Sequence, residues 1–278
     1  MFVISAIKNI SYLWCNIQIR GPTMKLTICE FPDETAHKMK AWEALVAHVA
    51  AAKPDIVVLP EMPFCDWIFV GSTVDFSQWR KAMSQHDEMI GRLGELKCRW
   101  VLTSRPIERD GRRLNEAFVW STEAGYQAVR SKWYLPDLSV AAESIWFDQG
   151  DRNFSPVACG PLHVGFKLCS EIMFPEHSRE IGFANGHLIA HPRATGNGRR
   201  WRAATEMSAV TSGCYVASAN RRSYERELFT GGSWLFTPEA KLLAETTVEE
   251  PFVTVEIDIA VAEKAKTTYP RDLQKMYC

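Results

Sequence analysis

Apolar residues along the chain switch repeatedly between two periods. Between Glu34 and Ala52 they recur at Ala36, Met39, Trp42, Val46 and Val49, one face of an α-helix. Asp55-Ile56-Val57-Val58-Leu59-Pro60-Glu61 follows, an unbroken run rich in β-branched residues that predicts a buried strand ended by Pro60. The helical period returns over about 77–96, at Trp79, Ala82, Met83, Met89, Ile90 and Leu93, and Trp100-Val101-Leu102-Thr103 predicts the next strand. Glu116 to Ser121 and Tyr126 to Ser131 flank Thr122-Glu123-Ala124-Gly125 and predict a hairpin. Beyond them the pattern gives a strand ending at Cys169, a helix over 176–185 and a strand over 187–191. A helix over 201–211 and strands over 214–219, 233–237, 241–246 and 252–258 complete the series. This alternation predicts an α/β fold with antiparallel hairpins mixed in.

Three strand ends carry candidate chemistry. In Val164-Gly165-Phe166-Lys167-Leu168-Cys169-Ser170-Glu171-Ile172-Met173-Phe174-Pro175-Glu176, an apolar run stops at a thiol, and Pro175 can start a helix. A thiol held at a strand tip beside backbone N–H groups suits a nucleophile, although a buried structural cysteine fits that segment equally well. Glu61 stands at a strand's C-terminal edge among Met62, Pro63, Phe64 and Trp67, where partial desolvation would raise a carboxyl toward general-base range. A solvated loop glutamate fits as well. Lys132 ends the alternating strand Tyr126-Gln127-Ala128-Val129-Arg130-Ser131-Lys132-Trp133 and can place positive charge beside a thiolate and an oxyanion. A snorkelling surface lysine is the bland alternative.

In this order, a glutamate after a hydrophobic strand and Pro, then a lysine, then a cysteine before Phe-Pro-Glu, the chain resembles the carbon–nitrogen hydrolase family, also called the nitrilase superfamily. The resemblance runs from about Met24 to about Leu273 and takes in Ser218-Ala219-Asn220-Arg221 and Gly232-Ser233-Trp234. It implies that Glu61 is a general base, Lys132 an oxyanion-stabilising cation and Cys169 the nucleophile. Glu143, ahead of Trp146-Phe147-Asp148-Gln149-Gly150-Asp151, fits the place of the family's second glutamate, and the backbone N–H of Ser170 would serve the oxyanion. The fold implied is a four-layer α-β-β-α sandwich with two mixed central sheets, commonly paired through one helical layer into a homodimer or higher oligomer. Met24-Lys25-Leu26-Thr27-Ile28-Cys29-Glu30 looks like its first strand, which leaves 1–23 as an N-terminal extension outside the fold and 24–278 as the hydrolase domain. Two positions depart from the family. Ser170 stands where many relatives carry an aromatic residue, and Ala240 stands in a Pro-Glu-Ala-Lys turn where relatives often have Gly.

The expected activity is hydrolysis of a small amide with release of ammonia, with no cofactor and no metal. Nitrile and N-carbamoyl substrates are the nearest alternatives; a non-catalytic binding protein on the same fold is the alternative of a different class. His191-Pro192-Arg193 follows a strand where relatives line the pocket, so Arg193 is a candidate carboxylate anchor. Phe64, Trp67, Trp133, Trp146 and His191 are candidate walls of the same cavity.

Composition narrows the partners. The 278 residues are 46% apolar and 23% charged, enough for one large core, and no linker or repeat divides them. A net charge of −1 offers no long-range attraction for nucleic acid or an anionic membrane. Eight cysteines without a C-x-x-C pair favour reduced thiols and a cytoplasmic protein. His187 and His191 lie on a strand with no further ligand in view, which argues against a metal site. Residues 1–23 lack the features of a signal peptide and are too polar to span a membrane.

Overall fold

The computed structural model describes residues 21–138, 141–196 and 198–276. In chain order the strands and α-helices are β1 (Thr23–Cys29), β2 (Phe31–Pro32), α1 (Thr35–Ala52), β3 (Ile56–Val58), α2 (Phe76–Arg92), β4 (Trp100–Arg109), β5 (Arg112–Ser121), β6 (Gly125–Ser131), β7 (Asp137–Leu138), β8 (Ala141–Ala142), α3 (Glu143–Trp146), β9 (Val157–Cys159), β10 (Leu162–Phe166), α4 (Pro175–Phe183), β11 (Leu188–Arg193), α5 (Arg199–Ser212), β12 (Tyr215–Arg222), β13 (Trp234–Phe236), β14 (Leu242–Glu245), β15 (Phe252–Asp258) and α6 (Ile259–Ala265). One sheet runs β15-β1-β3-β4-β5-β6; the other runs β14-β13-β12-β11-β10-β9, with β2 paired to β12. Both are mixed: β1-β3-β4 and β10-β11-β12 are parallel, and their flanks are antiparallel.

The strand period builds four layers. Ile56 and Val58 face the other sheet and share one core with Val164, Phe166, Leu188 and Ala190. Val57 and Leu59 point the opposite way and pack with Trp42, Leu45 and Val49 of α1. On the other side Ile181 and Ala209, from α4 and α5, cover Ile189, Val216 and Phe236. Gly165 makes this closeness possible, because a Cβ there would lie 2.6 Å from Ile181. The result is the α-β-β-α sandwich.

Details differ from the sequence pattern. The first strand starts at Thr23, and the helix expected over 77–96 closes at Arg92 into a 3-10 turn, Leu93–Leu96. The strand expected over 100–103 runs on to Arg109 and forms a long hairpin with β5. Pro106 is tolerated because β4 pairs with β3 only from Trp100 to Leu102, so Pro106 has a partner strand on one side only. The 1–20 part of the expected extension lies outside the described residues. Among the described residues, no helix is long and apolar enough to cross a membrane.

Candidate active site

Glu61, Lys132, Glu143 and Cys169 come from four separate segments and meet at one end of the two sheets. Glu61 follows β3, whose exit is pinned by the Thr103 hydroxyl on the Pro60 carbonyl at 2.6 Å and by Arg221 on the Met62 carbonyl at 2.6 Å. Lys132 follows β6; its N–H donates to Asn115 O and its C=O accepts from Gly150 N, both at 2.8 Å. Gly150 is packed so tightly on the Ser131 backbone that no side chain fits there. Glu143 opens α3, and Cys169 opens a 3-10 turn, Cys169–Met173, after β10. Cys169 has φ 44°, a left-handed conformation uncommon for a non-glycine residue.

Lys132 is the hub. Its Nζ donates to Glu61 Oε1 at 2.9 Å and lies 2.8 and 2.6 Å from the two oxygens of Glu143, all of them buried. Asn115 Nδ2 donates to the same Glu61 oxygen at 2.8 Å. Glu61 Oε2 is buried and has no hydrogen-bond partner among the described residues. Two carboxylates around one ammonium leave one negative charge in excess, and the titrations follow. Burial pushes Glu143 up to about 7, opposed by Lys132 and reinforced by Glu61. Lys132 is held above its ordinary value, since Glu143 and Glu61 outweigh its desolvation. The Cys169 thiol is raised by burial and by Glu61, with Lys132 pulling the other way. The net direction is upward, because burial and the neighbouring carboxylates outweigh the pull of Lys132.

Acidity does not single out Cys169, because burial also raises Cys98 and Cys159 to about 12 and Cys214 to about 11. Position does: Cys169 borders a cavity of about 960 Å³, together with Ser170, Glu143, Trp133, Tyr134, Phe147, Met173, Phe174, Arg200 and Trp201. Tyr134 and Phe174 stack at 3.6 Å between ring centroids and form one aromatic wall. Ser170 donates its hydroxyl to Tyr134 O at 2.7 Å, so the small residue after Cys169 ties the turn to that wall. Glu171 holds the turn from behind. It pairs with buried Arg130 at 2.5 and 2.9 Å and accepts from Trp133 N and Leu168 N at 2.8 Å each.

Of the expected wall residues, the structure brings Trp133 to the cavity. The others are corrected. Phe64 packs edge-on against Phe31 and Trp42 under α1. Trp67 lies between Phe69 and Phe229, and Trp146 packs on Phe69 with its indole N–H on Val70 O at 3.0 Å. Trp67 and Trp146 fill an apolar core with Phe69 and with Trp79 of α2, whereas Phe64 belongs to the core under α1. His191 is buried against Ser218 and the Cys169 carbonyl. Arg193 is buried too, bonded to Ser218, Thr195 and Gly232, and borders a different hollow with Trp234 and Glu245. It is not placed to anchor a substrate carboxylate; the cation among the residues that line the cavity is Arg200, and Asp137 and Asp148 line it too. Among the described residues no group of three potential ligands could hold a metal ion.

Comparison with known proteins agrees with this architecture. The carbon-nitrogen hydrolase family matches residues 23–267. A nitrilase of Pyrococcus abyssi is 29% identical over 170 residues, covering 60% of this chain and 63% of that protein, so less than two thirds of its length is matched. A bifunctional nitrilase/nitrile hydratase of Nicotiana tabacum is 25% identical over 287 residues, 88% of this chain and 81% of that one. The crystal structure of a carbon-nitrogen hydrolase from Helicobacter pylori G27 superposes with TM-score 0.78 at 17% identity, covering 91% of this chain and 95% of that chain. An amidase from Nesterenkonia sp. superposes with TM-score 0.72 at 18% identity, covering 95% and 99%. At these identities the structural likeness concerns the fold, while the family match spans most of the chain. The protein belongs to the carbon-nitrogen hydrolase family.

Proposed function

We propose that the chain hydrolyses a small non-peptide amide through a Cys169 thioester and releases ammonia. The observation that carries this is the orphaned Glu61 Oε2, a buried carboxylate oxygen whose charge acts on the Cys169 thiol while its sister oxygen is held by Lys132 and Asn115. A carboxylate fixed through one oxygen and free at the other is a proton acceptor in waiting.

Glu61 takes the thiol proton as sulfur attacks the amide carbon. The C–S bond forms, and the carbonyl π pair moves to oxygen. The Lys132 ammonium and the Ser170 N–H stabilise that oxyanion, each such donor being worth about 3–4 kcal/mol in the transition state. Collapse breaks the C–N bond, Glu61 returns the proton to nitrogen, and ammonia leaves. Glu61 then deprotonates water for attack on the thioester; the C–S bond breaks, and the acid and the thiol are regenerated. Glu143 holds Lys132 in place and, at the cavity wall, faces the substrate nitrogen. Neither a metal nor a cofactor enters these steps. The aromatic wall supports an apolar acyl group.

Nitrile hydrolysis is the second reading, favoured by the names of the Pyrococcus abyssi and Nicotiana tabacum relatives. A citrullinase of Francisella tularensis, 23% identical over 171 residues, similarly supports a carbamoyl substrate. A homo-oligomer is proposed from the family resemblance, and sedimentation of the purified protein tests it.

Ammonia release from a panel of amides, nitriles and carbamoyl compounds decides among these. The amide class is expected to turn over, with loss of activity in Cys169→Ala and retention in Cys159→Ala and Cys214→Ala. A panel giving no more ammonia than Cys169→Ala would sink the catalytic reading, and turnover of nitriles alone would replace it with the second.

A further inference from the structure

Behind the nucleophile runs a hydrogen-bond chain whose direction is fully determined. His191 and Arg193 lie two residues apart on β11 and therefore on one face of the strand. Ser218 lies opposite His191 on β12. Arg193 Nε is 2.7 Å from Ser218 Oγ, and a guanidinium can only donate. The Cys169 carbonyl can only accept, so the imidazole proton sits on Nε2, which donates to it at 3.0 Å. Nδ1 of the neutral ring is then an acceptor, and Ser218 Oγ, 3.0 Å away, accepts from Arg193 and donates its own hydrogen to it. Arg193 anchors the far end: Thr195 and the Gly232 carbonyl hold its two terminal nitrogens, and Trp234 lies 4.1 Å beneath it. All three members of the chain are buried.

We infer that this chain makes His191 a positioning residue for the oxyanion site, aiming the Ser170 N–H through the Cys169–Ser170 peptide. A trans peptide points its C=O and N–H in opposite directions. With the Cys169 oxygen held by His191 on the core side, the Ser170 N–H is directed to the other side, where Ser170 borders the cavity. Near the start of its 3-10 turn, that N–H is one of the groups with no acceptor inside the turn. The φ of 44° at Cys169 requires support from its surroundings, and the His191 bond supplies it. A donor on the carbonyl also polarises the peptide and strengthens the N–H as a donor. This inference rests on the proposed role of Cys169 as nucleophile.

Two reactions of the same sulfur separate the two ideas. Phenylacetaldehyde adds the thiol across its C=O: the S–C bond forms, the π pair moves to an oxygen lying in the oxyanion site, and the thiol proton passes to Glu61. Iodoacetamide alkylates the same sulfur with loss of iodide and the thiol proton, and no carbonyl oxygen gains charge. Labelling of Cys169 by iodoacetamide, read by peptide mass, is measured with and without the aldehyde in the intact chain. His191→Leu and Ser218→Ala are expected to weaken aldehyde protection by about 10- to 100-fold, with the labelling rate without aldehyde within about threefold of wild type. His191→Gln, which keeps an N–H at similar reach, is expected to recover most of the protection. If His191→Leu does not fold, Ser218→Ala carries the test. Unchanged protection in folded variants would overturn the inference, as would labelling and protection falling together, the mark of a general structural role. A wild-type protein that labels at Cys169 but gains no protection from the aldehyde would instead refute the nucleophile reading and the inference with it.

Discussion

Lys132 and Glu143 face each other as a fork and a point charge: one Nζ lies 2.8 and 2.6 Å from both oxygens of one carboxylate, with nothing exposed to solvent. Lys132 also holds Glu61 at 2.9 Å, so the ammonium is locked between two acids. Removing Lys132 would leave two buried carboxylates without a counter-charge, whereas removing either glutamate still leaves the ammonium one partner.

Glu143 gives this cluster a pH signature. Burial raises it from the ordinary 4.5 to about 7, so the folded state binds its proton more tightly than the unfolded chain. That contribution to stability is fully present below the unfolded value and is lost as pH rises through about 7. Wild-type Tm is therefore expected to fall between about pH 5 and pH 8 by more than that of Glu143→Gln, which has no proton to lose. Equal slopes for the two proteins would assign the titration to another group.

Arg130 and Glu171 tie the Lys132 loop to the Cys169 turn across 41 residues of sequence. Arg130→Met and Glu171→Leu are each expected to cost about 3–5 kcal/mol, because each leaves the other charge buried and unpaired. The double variant is expected to cost clearly less than the sum of the two. A urea-denaturation cycle measures this, and strict additivity would show that the pair contributes no coupling.

The three strand-end segments made Glu61, Lys132 and Cys169 visible as candidates, because a run of apolar residues that stops at a charged or nucleophilic side chain is legible without any contact information. The same pattern could not tell which face of β11 meets the cavity. Position after an apolar run makes His191 and Arg193 candidate wall residues, yet β11 runs on to Arg193 and both side chains are buried and hydrogen-bonded to Ser218. Aromatic density failed similarly at Phe64 and Trp67, since tryptophan and phenylalanine serve a wall and a core equally well. Asn115, Tyr134, Phe174 and Trp201 gave no local signal, and neither did the Arg130–Glu171 pair. Their roles exist only once segments distant in sequence are folded together.

Ala240 shows the opposite case, a departure in sequence with a backbone explanation. It sits at φ 56° in the turn between β13 and β14, closed by Ala240 N on Thr237 O at 2.9 Å. A Cβ in the left-handed region is strained, and glycine removes that strain while adding entropy to the unfolded chain. The first effect is larger, so Ala240→Gly is expected to stabilise by about 0.5–1 kcal/mol. Tm should rise by about 1–3 °C. A lower Tm would mean that the Ala240 methyl makes contacts worth more than the strain it causes.

The cavity wall predicts the acyl preference. Trp201 opens α5 beside Arg200 and borders the cavity that the stacked Tyr134–Phe174 pair also borders. An aromatic side chain in such a wall contributes by burying apolar substrate surface, at about 25 cal/mol per Å². Its removal should therefore matter in proportion to the size of the acyl group. Trp201→Ala is expected to raise KM about tenfold for phenylacetamide and less than about threefold for acetamide, with kcat little changed for either, because uniform binding is lost rather than transition-state stabilisation. Arg193→Lys, behind the site, should leave the ratio between an acidic amide such as succinamate and a neutral one unchanged. KM values for these amides check both expectations. A Trp201→Ala effect independent of acyl size would place the acyl group elsewhere in the cavity, and a loss confined to succinamate in Arg193→Lys would restore Arg193 as a substrate contact.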